Sequence, residues 1–117
     1  MDDTNKIPED LTKDQLLAIY RRMRLIRRFE DTAQRLFENG EIGGFLHLSQ
    51  GQEAVPVGTC TALRPDDYIT STHRGHGDVL AKGCEPKYMF AELYGRTTGY
   101  CKGKGGSMHI ADFSQGI

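Results

Sequence analysis

The chain has 117 residues, with 15 Lys plus Arg against 16 Asp plus Glu and a formal net charge of −1. That balance excludes a global field for nucleic acid or a membrane surface, and a hydrophobic share of 38 %, before 14 glycines are added, excludes disorder throughout. The length allows one domain of common size and no second full one.

No apolar run approaches the roughly 18 residues needed to cross a bilayer, and the stretch Met1 to Asp10 is acidic rather than basic then greasy, so a cytoplasmic protein is expected. Cys60, Cys84 and Cys101 are odd in number and form no Cys-x-x-Cys pair, which predicts reduced thiols in or near the core.

Residues 1–11 read as a flexible lead-in. Thr12 with Gln15 three residues on is a capping box. From there Leu16, Ile19, Tyr20, Met23, Ile26, Phe29, Ala33, Leu36 and Phe37 recur at threes and fours up to Asn39-Gly40, which predicts one long amphipathic helix. The basic run Arg21, Arg22, Arg24, Arg27, Arg28 is followed by Glu30, Asp31 and Glu38, so it reads as a solvated or subunit-facing charged surface, with Arg27 four residues before Asp31.

Ser49 with Gln52 forms a second capping box that predicts a helix to about Leu63, kinked or irregular where Pro56 removes a donor. Arg64-Pro65-Asp66-Asp67 reads as a turn, and Tyr68-Ile69-Thr70-Ser71-Thr72 as the one strand. Helices are expected at Asp78 to Lys82, closed by Gly83, and from Pro86 to Tyr94, closed by Gly95. Gly95 to Gly106 holds five glycines with Arg96, Lys102 and Lys104 and no acid, a basic and permissive loop. A lone strand has nothing to pair with, so the expected unit is incomplete, its core finished by residues or chains outside this sequence.

Chemistry concentrates at Ser71-Thr72-His73-Arg74-Gly75-His76-Gly77, past the end of the expected strand, where ligand crevices of open α/β sheets lie. Arg74 could grip a phosphate with two parallel bonds, His73 could donate one more, and His76 could shuttle a proton. The two imidazoles lack further ligands at a useful spacing, so no metal site is expected in the chain. The bland alternative is a polar turn whose imidazoles satisfy backbone carbonyls. His47, between Leu46 and Leu48, reads on its own as a buried histidine. Lys102 to His109 has the composition of a phosphate cradle but lacks the spacing of either nucleotide-binding fingerprint, which leaves anion binding and a structural turn both open.

Gly44-Phe45-Leu46-His47-Leu48-Ser49-Gln50-Gly51-Gln52-Glu53-Ala54, then Ser71 to Gly77, then Cys101-Lys102-Gly103-Lys104-Gly105-Gly106-Ser107-Met108-His109 occur in one order. They closely resemble the N-terminal part of the alpha subunit of thiamine-diphosphate-dependent 2-oxo acid and acetoin dehydrogenase components. The resemblance runs from Leu16 to Ile117 and covers about the first third of a typical member. It implies an α/β protein, the helix-rich N-terminal part of a three-layer α/β/α thiamine-diphosphate-binding fold with one strand in this segment, residues 12–117 being an incomplete part of that domain.

The resemblance further implies an alpha-beta heterotetramer with the cofactor between subunits. There the thiazolium carbanion attacks a carbonyl, and the two-carbon unit passes to a lipoyl arm on an acyltransferase core. By resemblance Arg74 binds the diphosphate, and His73 stands where pyruvate-type members carry Tyr. His47 becomes a residue facing the active site, and with His76 it makes the expected catalytic pair. The Mg²⁺ ligands and the acyl-transfer histidine would lie beyond Ile117, and the glutamate that activates the aminopyrimidine in the beta subunit. The wording of the blocks favours acetoin-type over pyruvate-type members. The rival readings are a catalytically silent docking module without the magnesium-binding half of the site, and a small anion-binding module whose affinity would fall steeply with salt.

Overall fold

The computed structural model describes residues 11–117; the expected lead-in, but for Leu11, lies outside them. Helix α1 spans Lys13–Glu38. Its capping box is formed: Thr12 Oγ1 accepts from Gln15 N at 3.2 Å and Gln15 Oε1 accepts from Thr12 N at 2.8 Å. Asn39 caps the far end, and Gly40 turns the chain at a φ of 72°. Only Ile26, Phe29, Glu30 and Ala33 are buried on this helix, although its apolar stripe runs its whole length. The core lies under the second half, while Ile19 and Met23 rest on its edge.

Helix α2 spans Ala54–Ala62 and starts five residues after Ser49. The expected capping box at Ser49 does not form, because its hydroxyl donates to the buried Glu30 carboxylate at 2.7 Å instead. Pro56 is the third helical residue, where amides have no partner within the helix, so its missing donor leaves no bond unmade. Helix α3, His76–Ala81, begins two residues before the expected start and takes His76 and Gly77 out of the loop into the helix. It packs against both α1 and α2, which also touch each other. Helix α4, Pro86–Leu93, has proline in its first turn as expected and packs Phe90 on Phe29 with ring centroids 4.5 Å apart.

The expected strand at Tyr68 to Thr72 is not present: no strand occurs among the described residues, and this stretch is extended backbone. β-branched residues fit a pleated surface, but a strand exists only where a neighbour completes the ladder. Here the described cross-link is Ile69 N to Gly116 O at 2.8 Å. That carbonyl belongs to a closed turn the sequence reading missed, a 3₁₀ turn at Phe113–Gln115 capped by Asp112. Asp112 N and Ile117 N each donate to the other residue's carbonyl, at 2.7 and 3.1 Å. Helix-rich architecture is therefore observed, and the core is a three-helix cluster with α4 against it.

Candidate functional site

The turn His73-Arg74-Gly75 before α3 exposes two of the four expected site residues, and the segment before α2 brings a third, His47, against His73. Arg74 is exposed and its Nη1 donates to Leu48 O at 2.5 Å; no acid among the described residues pairs with it. It lines a cleft of about 260 Å³ with Ser49, Gln52, Val55, Pro56, Thr72 and the α3 residues Gly77 and Asp78. Asp78 puts one carboxylate at the same cleft, and that carboxylate accepts from the Ser71 hydroxyl. His73, also exposed, meets the His47 ring edge to face at 5.1 Å.

His47 Nδ1 is buried and has no hydrogen-bond partner, and of the other two expected residues it is His73 that the His47 ring touches. A guanidinium with donors to spare and an exposed imidazole next to it in sequence fit an anionic group such as a diphosphate.

His76 sits elsewhere. It is fully buried, its Nδ1 3.0 Å from Glu30 Oε2 and its Nε2 2.9 Å from Ser107 Oγ. Phe29 meets its ring edge on at 5.4 Å. The glycines flanking it serve close packing on protein: a Cβ at Gly75 would lie 2.8 Å from Ser71 Oγ, and one at Gly77 3.1 Å from Pro56 Cγ. Glu30 also accepts from Ser49 N at 3.3 Å, and Ser107 Oγ accepts from His47 N at 3.1 Å. Sequence reasoning missed Glu30 and Ser107 as members of this cluster. For Glu30 a sign was available, because it lies on the stripe of Ile26, Phe29 and Ala33, where an acid needs buried partners.

The glycine loop resolves differently from either open reading. Its amides do cradle an anion, and that anion is the chain's own Glu92, 1 % exposed. Oε2 accepts from Cys101 N at 2.8 Å and Gly103 N at 2.9 Å, and Oε1 from Gly105 N at 2.6 Å and Gly106 N at 3.2 Å. Burial pushes the Glu92 carboxyl up, but these four bonds outweigh it and hold the group below the usual carboxylate range. The loop folds back on itself so tightly that a Cβ at Gly103 would strike the Gly95 backbone, at a φ of 75°. Gly40 has a similar φ of 72° with nothing within 4 Å. Gly40→Ala is expected to cost about 1–2 kcal/mol in conformational strain, and Gly103→Ala clearly more; urea unfolding of both variants measures the difference.

Arg27 pairs not with Asp31 but with Glu53 at 2.6 Å, which draws the Glu53 carboxyl below its usual range against its burial. Burial pushes the Cys84 thiol up to about 11, so it is not a thiolate near neutrality. Among the described residues no group of three His, Cys, Asp or Glu could hold a metal ion, and no helix is long and apolar enough to cross a membrane.

A family model described as the dehydrogenase E1 component matches residues 21–117. The alpha subunit of acetoin:2,6-dichlorophenolindophenol oxidoreductase from Bacillus subtilis (strain 168) is 54 % identical over 107 residues, 92 % of this chain and 32 % of the relative. Its counterpart from Cupriavidus necator is 52 % identical over the same shares. The pyruvate dehydrogenase E1 component subunit alpha of Zymomonas mobilis is 50 % identical over 99 residues, 84 % of this chain and 28 % of the relative. The chain thus spans about a third of the length of the curated relatives it matches.

Proposed function

The chain belongs to the dehydrogenase E1 component family, and on that footing we propose that it forms the N-terminal part of a thiamine-diphosphate-dependent alpha subunit. The reaction is cleavage of acetoin or decarboxylation of a 2-oxo acid, with the two-carbon unit passed to a lipoyl group on an acyltransferase core. A beta subunit completes the site, in an alpha-beta heterotetramer of three-layer α/β/α subunits. Acetoin is the favoured substrate, supported by the higher identity of the two acetoin-enzyme relatives.

The observation that carries this reading is the Arg74 guanidinium, exposed at a cleft and engaged by a single carbonyl. Its remaining N–H groups can bind a diphosphate, with His73 donating beside it. Thiamine diphosphate, when bound, supplies the means of stabilising a carbanion at a carbonyl carbon. The Leu48 carbonyl holds Arg74 in place, and His47, whose ring packs edge to face on His73, is the catalytic histidine of this reading. Magnesium would be held by groups outside this chain.

The test is Arg74→Ala in the full-length alpha subunit assembled with its beta subunit. A charged hydrogen bond is worth about 1.5–3 kcal/mol, so thiamine diphosphate affinity should fall about 10- to 150-fold, while affinity for thiamine lacking the diphosphate stays the same. An unchanged diphosphate affinity would leave the docking-module reading, which the exposure of Phe45, Val55, Tyr68 and Phe113 favours.

A further inference from the structure

The hydrogen bonds joining α1 to the glycine loop have only one consistent direction. We infer that Glu30, His76 and Ser107 are positioning residues that hold His47 at the site proposed above, on which this inference rests. The direction is set at both ends by backbone amides, which can only donate.

At one end Ser49 N donates to Glu30 Oε1 at 3.3 Å, and the Ser49 hydroxyl donates to the same oxygen at 2.7 Å. Oε2 is left facing His76 Nδ1 at 3.0 Å, so Nδ1 carries the proton. At the other end His47 N donates to Ser107 Oγ at 3.1 Å. The Ser107 hydroxyl proton then needs an acceptor, and His76 Nε2, at 2.9 Å, is the one in reach.

A neutral His76 protonated on Nδ1 satisfies every group in the chain of bonds. An imidazolium, or the Nε2–H tautomer, would leave the Ser107 hydroxyl without an acceptor in a residue only 6 % exposed. The carboxylate on α1 therefore fixes the His76 tautomer, the tautomer fixes the rotamer of the Ser107 hydroxyl, and the Ser107 oxygen holds the backbone of His47. The His47 ring is in this way set against His73. Glu30, Ser49, His76 and Ser107 are all buried, so water does not compete for these bonds.

Ring-¹⁵N-labelled histidine in the alpha-beta protein reads the tautomer by NMR without cofactor. The wild type should show Nδ1 protonated and Nε2 bare; an imidazolium or an Nε2–H ring would overturn the inference. In Glu30→Gln the Ser49 amide keeps the carbonyl oxygen of the new side chain, so the NH₂ group faces Nδ1 and the proton must move to Nε2. An unmoved proton would overturn the inference as well. Ser107→Ala should keep the Nδ1–H tautomer yet speed exchange of the His47 amide proton about tenfold, the loss of one hydrogen bond; unchanged exchange counts against it. If the wild type shows the Nδ1–H ring and the proton moves in Glu30→Gln, yet the wild-type protein binds no thiamine diphosphate, the cofactor reading fails and the positioning inference stands.

Discussion

Glu92→Gln is expected to loosen the segment from Cys101 to Gly106 and to destabilise the chain by about 2–6 kcal/mol. A carboxylate offers two acceptor oxygens and here serves two amides with each. Glutamine offers one oxygen, so in either orientation two amides face an NH₂ group, donor against donor. Each orphaned donor costs about 1–3 kcal/mol, and the total is a large part of the roughly 5–15 kcal/mol that holds a domain folded. Tm should fall by roughly 10 °C or more.

The same substitution changes the acid response. A carboxyl held below its usual range in the folded chain stabilises the fold above the ordinary value of about 4.3. That contribution is lost as pH falls from there through the lower folded value. Unfolding free energy followed from pH 6 to about pH 3 should fall more steeply in the wild type than in Glu92→Gln. Parallel slopes would show that the four amides do not hold an ionised group.

Glu30→Ala should be of similar size, about 3–5 kcal/mol, because removing the carboxylate leaves three buried donors without an acceptor, at about 1–3 kcal/mol each. The Ser49 amide, the Ser49 hydroxyl and His76 Nδ1 would all point into the space left behind. A double-mutant cycle with Ser49→Ala separates the links: partners of one acceptor should show a coupling of about 0.5–3 kcal/mol. Additive effects would mean that Ser49 and Glu30 act independently. Denaturant unfolding of the four proteins measures it.

Local rules were legible wherever the chain's neighbours in sequence decide the outcome. Thr12 with Gln15, Asn39 with Gly40, Pro86 and Gly95 end or begin helices where such residues should. Rules failed where a distant partner decides. Ser49 has the spacing of a cap, but a carboxylate 19 residues away takes its hydroxyl. Tyr68 to Thr72 has the composition of a strand, but no neighbour completes a ladder among the described residues.

The site shows the same division. Arg74, His73 and His47 were singled out from their wording, and the fold sets the His47 ring on His73 and ties Arg74 to the Leu48 carbonyl. The anion in the glycine loop was not, since a nest of amides looks the same in sequence whether it awaits a ligand or encloses an acid of its own chain. Glu92 lies between Met89 and Leu93 on the buried side of α4, the position of an acid with internal work to do.

The clasp around Glu92 closes a circuit from α4 to Gly106 without a covalent bond, and so performs the task that a disulfide has in many small loops. The chain's three cysteines are all free thiols. Because the clasp is made by amides and a carboxylate, it needs no oxidant to close, and the Cys101 thiol inside it serves as a donor to the His109 carbonyl at 3.0 Å rather than as half of a bridge.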